Sequence, residues 1–333
     1  MKLTVKQILV SLAVAMVLPP VAAQGVEDEE FSTSELIGGK RTSREECETT
    51  RDAVWVEHRE GTECIRYYPS SNLAGARRAA FYFHGDVLEG RFVIAGAYKD
   101  NRASILRASA ENQSKLQGLA YIVVARPGAY GSSGRHTERR RLKEYLSLNA
   151  ALDAIKARHG LERVDLVGQS GGATSVGALL TLGRTDVVCA VASSGGYDAL
   201  ARARDIAAQT GQNWRGCDSH GICDPYNVTD HVGSVLKSEQ RRVFIVGDPT
   251  DANTAFKYQQ AFAEKLKGAG SDVTVVEAEA TGSQHHSLGF MANRVVGWCN
   301  AGFDSERIAT LVRDKAPALR ARKAKATKQE DGE

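Results

Sequence analysis

Ser170 lies in the run Val164-Asp-Leu-Val-Gly-Gln-Ser-Gly-Gly-Ala173, with a glycine two positions before it and another two positions after. A serine hydroxyl becomes a useful nucleophile only when a base takes its proton and a carboxylate orients that base. Candidates for both follow in the chain: Asp248 and Asp251 in Gly247-Asp-Pro-Thr-Asp251, then the adjacent pair His285-His286. With a donor for the developing oxyanion, which the N–H of Gly171 could supply, these groups could carry out acyl transfer through a covalent serine intermediate.

That chemistry sets requirements on the backbone. The apolar run Val164 to Val167 reads as a buried strand and the small residues after Gly172 as a helix, so Ser170 falls on a sharp strand-to-helix turn. Flanking residues without a Cβ let the two elements approach closely enough to expose the hydroxyl. A helix N-terminus behind the serine would also stabilise negative charge there.

The other candidates follow strands as well. A hairpin is expected from Val54 to His58 and Thr62 to Tyr68, as the antiparallel edge of a sheet. Strands and helices then alternate. Strands are expected over 78–83, ending in His84-Gly85-Asp86, and over 121–125, 187–192, 243–246 and 273–277. Helices are expected over 103–116, 141–159, 254–266 and about 288–298. Such alternation predicts a single α/β domain over 54–313, with a mostly parallel central sheet and helices on both faces. Residues 197–240 interrupt it and read as a small cap-like insertion over the site.

The ends of the chain read differently. Lys2 and Lys6 precede an apolar run from Ile8 to Leu18, and Val21-Ala-Ala23 closes it with small residues, the pattern of a signal peptide cleaved after Ala23. The run is shorter than the roughly 20 residues of a membrane span. Secretion or a periplasmic location is therefore expected, with no membrane span. Residues 24–53 are polar and aperiodic and read as a flexible lead-in, and 314–333 as a solvated basic tail. Removing residues 1–23 takes away two lysines and lowers the net charge from +3 to +1, so no nucleic-acid partner is implied.

Six cysteines suit an oxidising compartment. Cys47 with Cys64 and Cys217 with Cys223 are plausible local disulfides, while Cys189, in an apolar strand, reads as an inert buried thiol. Cys217, His220 and Cys223 could instead offer three metal ligands, but no fourth lies nearby, so neither metal nor other cofactor is expected. The loop Gly128-Ala-Tyr-Gly131-Ser-Ser-Gly134 opens no helix and carries no suitably placed lysine; it reads as a wall of a substrate pocket rather than a nucleotide site.

The order Ser170, aspartate, histidine, together with His84-Gly85 and Gly168-Gln-Ser170-Gly-Gly172, resembles the α/β-hydrolase superfamily over most of residues 54–300. Gly247-Asp-Pro-Thr-Asp251-Ala-Asn-Thr254 and His-His-Ser-Leu288 are most similar to its prolyl-oligopeptidase and dienelactone-hydrolase-like branch. Residues 24–53 leave no room for the β-propeller of prolyl oligopeptidases. The resemblance implies a Ser-Asp-His triad and hydrolysis of a small ester or peptide, with a carboxylesterase favoured over a peptidase; a non-catalytic binding protein is the rival. It favours Asp251 over Asp248 as the orienting acid and His285 over His286 as the base. It also carries the second oxyanion donor onto Asp86, with Val87 as the alternative, and the Asp86 side chain is then expected to point away from the oxyanion.

Overall fold

The computed structural model describes residues 28–314, apart from 91, 96, 97, 99 and 100. The expected signal segment and nearly all of the basic tail lie outside the described residues.

Eight strands form the central sheet: β1 (Ala53–His58), β2 (Gly61–Pro69), β3 (Arg78–Phe83), β6 (Ala120–Val124), β7 (Arg163–Gln169), β8 (Val187–Ser193), β9 (Arg242–Gly247) and β10 (Asp272–Glu277). Their spatial order is β1-β2-β6-β3-β7-β8-β9-β10. The hairpin β1-β2 is antiparallel and joins β6 antiparallel, whereas every pairing from β6 to β10 is parallel. A second, two-stranded sheet pairs β4 (Leu88–Glu89) with β5 (Val93–Ile94).

Alternation along the strands builds two cores. Ala79, Phe81 and Phe83 of β3, with Ala190 and Ala192 of β8, face α4 (Leu142–His159), α5 (Gly171–Thr181) and α7 (Phe256–Gly268). Ala80 of β3, with Cys189 and Val191 of β8, faces α3 (Ala103–Gln117), α8 (Gly289–Asn300) and the helical stretch 305–314. Burial on both faces explains why the parallel strands read as continuous apolar runs.

The segment expected to be a flexible lead-in is folded from residue 28 onward. It forms α1 (Thr33–Gly38) and α2 (Arg44–Thr49), each capped by a serine, with a full capping box between Ser43 and Glu46. Helices of 6 residues are too short to show a period. Tertiary anchors hold them: Phe31 and Leu36 join the core, and Cys47 is disulfide-bonded to Cys64 of β2.

Cys217 and Cys223 also pair, so their sulfurs are not metal ligands. The expectation of a free thiol at Cys189 is overturned, because Cys189 is bonded to Cys299. α8 packs across β8 and brings the two together over a separation of 110 residues, which no local pattern records.

Residues 197–240 contain α6 (Ala199–Gln209), the loop closed by Cys217 and Cys223, and a 3₁₀ turn over Val228–Ser234. Among the described residues no helix is long and apolar enough to cross a membrane.

Candidate active site

The six parallel strands point their C-terminal ends at one edge of the sheet, where ligand sites of open α/β sheets form. Ser170 follows β7 with φ +55° and ψ −120°, and its own N–H donates to the Ser193 carbonyl. A non-glycine residue in such a conformation persists only where its surroundings force it. The surroundings here are tight. A Cβ on Gly168 would stand 2.3 Å from the Gly172 carbonyl oxygen, and one on Gly172 would stand 1.9 Å from that of Phe83. Both glycines of the motif are therefore required by space.

Asp251 and His286 complete the arrangement. The Ser170 hydroxyl and His286 Nε2 are 2.9 Å apart, and His286 Nδ1 lies 2.8 Å from Asp251 Oδ2. Asp251 Oδ1 accepts the N–H groups of Asn253 and Thr254, both at 2.8 Å. With one oxygen held by two backbone donors, the other is aimed at the imidazole. That fixes the tautomer with the proton on Nδ1 and leaves Nε2 free to take the serine proton.

The expectation that His285, rather than His286, faces Ser170 is not met. His285 closes a turn by donating its N–H to the Gly282 carbonyl, and adopts φ +52°. Its side chain is 52% exposed, with Nδ1 3.8 Å from Asp248 Oδ2. The left-handed residue turns the next one inward, and a bridge between Thr281 and Ser287 closes the loop beneath it.

Asp248 has a different task. It accepts the Ala280 N–H at 2.7 Å, the Thr250 N–H at 2.8 Å and the Thr250 hydroxyl at 2.7 Å, bracing the turns after β9 and β10. Burial pushes its carboxyl up, but those donors outweigh burial and hold it below the usual range.

Gly171 begins α5 and its N–H has no partner within the protein among the described residues, as expected for a first-turn amide. The Asp86 N–H is likewise unengaged, whereas that of Val87 is spent on His136 Nε2 at 3.4 Å. This removes Val87 from the candidate oxyanion donors.

The Asp86 carboxylate turns into a cluster of guanidiniums. Arg126 Nη1 donates to Oδ1 at 2.8 Å, Arg140 Nη2 donates to Oδ2 at 2.6 Å, and Arg139 Nε lies 3.0 Å from Oδ2. Burial would raise the carboxyl, but Arg140, Arg126 and Arg139 hold it well below its ordinary value. Glu144 and Asp218 supply the remaining anions: Arg126 Nε donates to Glu144 at 2.7 Å, and Arg140 Nη1 to Asp218 at 3.2 Å. Three guanidiniums thus meet three carboxylates, so the group is close to neutral.

Two buried histidines frame this cluster. His84 Nε2 accepts the Arg126 N–H and its Nδ1 faces the Gly85 carbonyl; His136 Nε2 accepts from Val87 and its Nδ1 faces the Pro127 carbonyl. Burial, then the Arg126 charge, lowers His84 to about 3, and the same causes lower His136 well below its usual value. Both are neutral acceptors of loop amides.

The cleft above these groups encloses about 970 Å³. Ser170, Gly171, Asp86 and His286 line it, as do Tyr130 of the glycine-rich loop and Ala199, Arg202 and His220 of the insertion. Gln169, inside the serine motif, was not singled out by its sequence. It donates to the His286 carbonyl at 2.8 Å and accepts the Leu288 N–H at 3.0 Å, tying the histidine loop to the nucleophile's own strand. The arginine cluster was missed too, since Arg139 and Arg140 fall between the glycine-rich loop and the helix expected over 141–159 and carry no pattern of their own. Among the described residues no group of three potential ligands could hold a metal ion.

No family model and no curated protein matches the chain. Solved structures do. An esterase of Pyrococcus furiosus is 15% identical with a TM-score of 0.52, covering 79% of this chain and 95% of that one. A Butyrivibrio proteoclasticus esterase with ferulic acid bound is 14% identical with a TM-score of 0.52, covering 75% and 98%. The acylaminoacyl peptidase of Pyrococcus horikoshii is 13% identical with a TM-score of 0.51, covering 77% of this chain and 43% of that one. At such identities the likeness speaks for the fold. With a mostly parallel sheet of eight strands and helices on both faces, the chain folds as an α/β hydrolase.

Proposed function

We propose that the protein is an exported serine hydrolase that cleaves a small ester through an acyl-enzyme. Ser170 is the nucleophile, His286 the general base and acid, and Asp251 the orienting carboxylate. The observation that carries this reading is the relay Asp251, His286, Ser170, with separations of 2.8 and 2.9 Å. Ser170 Oγ attacks the carbonyl carbon while its proton passes to His286 Nε2. The charge developing on the substrate oxygen accepts the N–H groups of Gly171 and Asp86. Collapse expels the alcohol, which takes the proton from Nε2, and water repeats the sequence to free the acid. The neutralised Asp86 supports catalysis over the binding-protein reading, since an unpaired carboxylate there would oppose the oxyanion.

An ester is favoured over a peptide because the cleft is framed within one α/β unit among the described residues. The structurally similar peptidase has more than half of its length outside the shared part. Three disulfides suit the oxidising compartment that export would reach.

The test is labelling with a fluorophosphonate, in which Ser170 Oγ displaces fluoride from phosphorus and His286 takes the proton. Peptide mapping should place the label on Ser170, and Ser170→Ala should abolish it. His286→Ala should slow labelling by about 10² to 10⁴, the range of a lost general base, while His285→Ala should change it by only a few fold. A folded, disulfide-intact protein that does not label would overturn the reading.

A further inference from the structure

Among the described residues, the cleft is lined by one guanidinium that makes no ion pair. Arg202, half-buried on α6, is held by three neutral acceptors. Its Nε donates to the Asn253 carbonyl at 2.6 Å, Nη2 to Asn253 Oδ1 at 3.3 Å, and Nη1 to the Ser219 hydroxyl. Among the described residues no carboxylate lies within 4.0 Å of it, in contrast to Arg126, Arg139 and Arg140, which share Asp86, Glu144 and Asp218. Three of the five guanidinium N–H groups are used and two remain.

The anchoring is specific to the site. Asn253, which holds the guanidinium, donates its own N–H to Asp251, so the cation is fastened to the turn that carries the orienting acid. Ser219 belongs to the loop closed by Cys217 and Cys223, which also places His220 in the cleft. Burial, then the charge of Arg140, lowers the affinity of Arg202 for its proton, and the more distant carboxylates of Asp218 and Asp251 offset this only in part. Glu89, the other unpaired charge lining the cleft among the described residues, is exposed and makes no ion pair with Arg202.

We propose that Arg202 recognises a carboxylate carried by the substrate, making the preferred substrates anionic esters. The inference rests on the reading of Ser170 as the nucleophile and specifies the substrate class of that site. A single carboxylate is favoured over a phosphate dianion because, among the described residues, Arg202 is the one cleft cation without an ion pair, and its two remaining N–H groups match the two oxygens of a carboxylate.

The experiment compares fluorophosphonates whose arms end either in a carboxylate or in the isosteric carboxamide. The group is placed on the P–C arm in one pair and on the P–O arm in the other. The readout is the ratio of second-order labelling rates at Ser170. In the wild-type protein one pair should favour the carboxylate by about 10- to 100-fold, the range of a hydrogen bond to a charged group. Arg202→Gln should bring that ratio near one, and Arg202→Glu should invert it. Arg204→Gln removes the same charge from an exposed position on the same helix and should preserve the preference.

Equal rates for carboxylate and carboxamide in both pairs would overturn the inference while leaving the hydrolase reading intact. A preference that survives Arg202→Gln, or that falls equally in Arg204→Gln, would overturn it too. Failure of all four probes to label Ser170 would overturn both readings.

Discussion

Replacing each of the two aspartates with asparagine separates an acid that orients the base from one that braces a turn. In Asp251 the oxygen Oδ1 accepts two backbone N–H groups, from Asn253 and Thr254. An asparagine there keeps its carbonyl oxygen on those donors, which turns its NH₂ toward His286. The imidazole must then accept at Nδ1 and carry its proton on Nε2, facing Ser170, where no proton can be taken up. The expected loss is on the order of 10⁴ in kcat, about 5 kcal/mol of transition-state stabilisation. In Asp248 the two oxygens serve Ala280 and Thr250. Asparagine can satisfy one side only and leaves a buried donor facing an NH₂, costing about 1–3 kcal/mol of stability. Its relay is untouched. Hydrolysis of 4-nitrophenyl butyrate, read beside urea unfolding, should therefore show Asp251→Asn nearly inactive and close to wild type in stability. Asp248→Asn should be active and less stable. Comparable losses of turnover in the two variants, or more than about a tenth of the wild-type turnover in Asp251→Asn, would refute the assignment.

Stability should fall on mild acidification. His84 titrates at about 3 in the folded chain against an ordinary value of 6.5, so its contribution is complete above 6.5 and is lost as pH falls toward 3. At about 1.4 kcal/mol per pH unit, lowering the pH from 6.5 to 5 costs about 2 kcal/mol from His84, with His136 acting in the same direction. Urea midpoints measured across that range should drop, and a flat profile would contradict the neutral, buried pair. Replacing both Cys189 and Cys299 with alanine opens a loop of 110 residues and should cost about 4–5 kcal/mol by chain entropy, measurable as a lower midpoint. Loss of Cys217 and Cys223, which close a separation of 6, should cost about half as much.

What could be read from the sequence follows the range of the forces involved. The turn at Ser170 is legible because its demand on Gly168 and Gly172 acts over a few residues, and the parallel strands are legible because burial on both faces leaves unbroken apolar runs. Asp251 was favoured over Asp248 through resemblance, and the structure places Asp251 beside the imidazole. Between His285 and His286 the same resemblance favours His285, and the structure sets His286 against Ser170 instead. Their identities are equal, and the choice depends on a left-handed φ at His285 that faces one ring outward and the next inward. The tether between Cys189 and Cys299, the docking of α1 and α2, and the balance of arginines around Asp86 arise from contacts across long separations. Arg126 shows this best: a strand-end arginine before a proline, it becomes a fully buried partner of two carboxylates only once β3, β6 and α4 meet.

The bond between Cys189 and Cys299 also determines what a protease can do to this molecule. Asp251, His286 and the whole insertion that lies beside the cleft belong to the segment between the two cysteines. A single cut in the exposed stretch around Trp214 therefore yields two polypeptides on a reducing gel and one covalent molecule in solution. The nicked form keeps the acid and the base joined to the strand beside the nucleophile, so an opened loop need not mean a dispersed site.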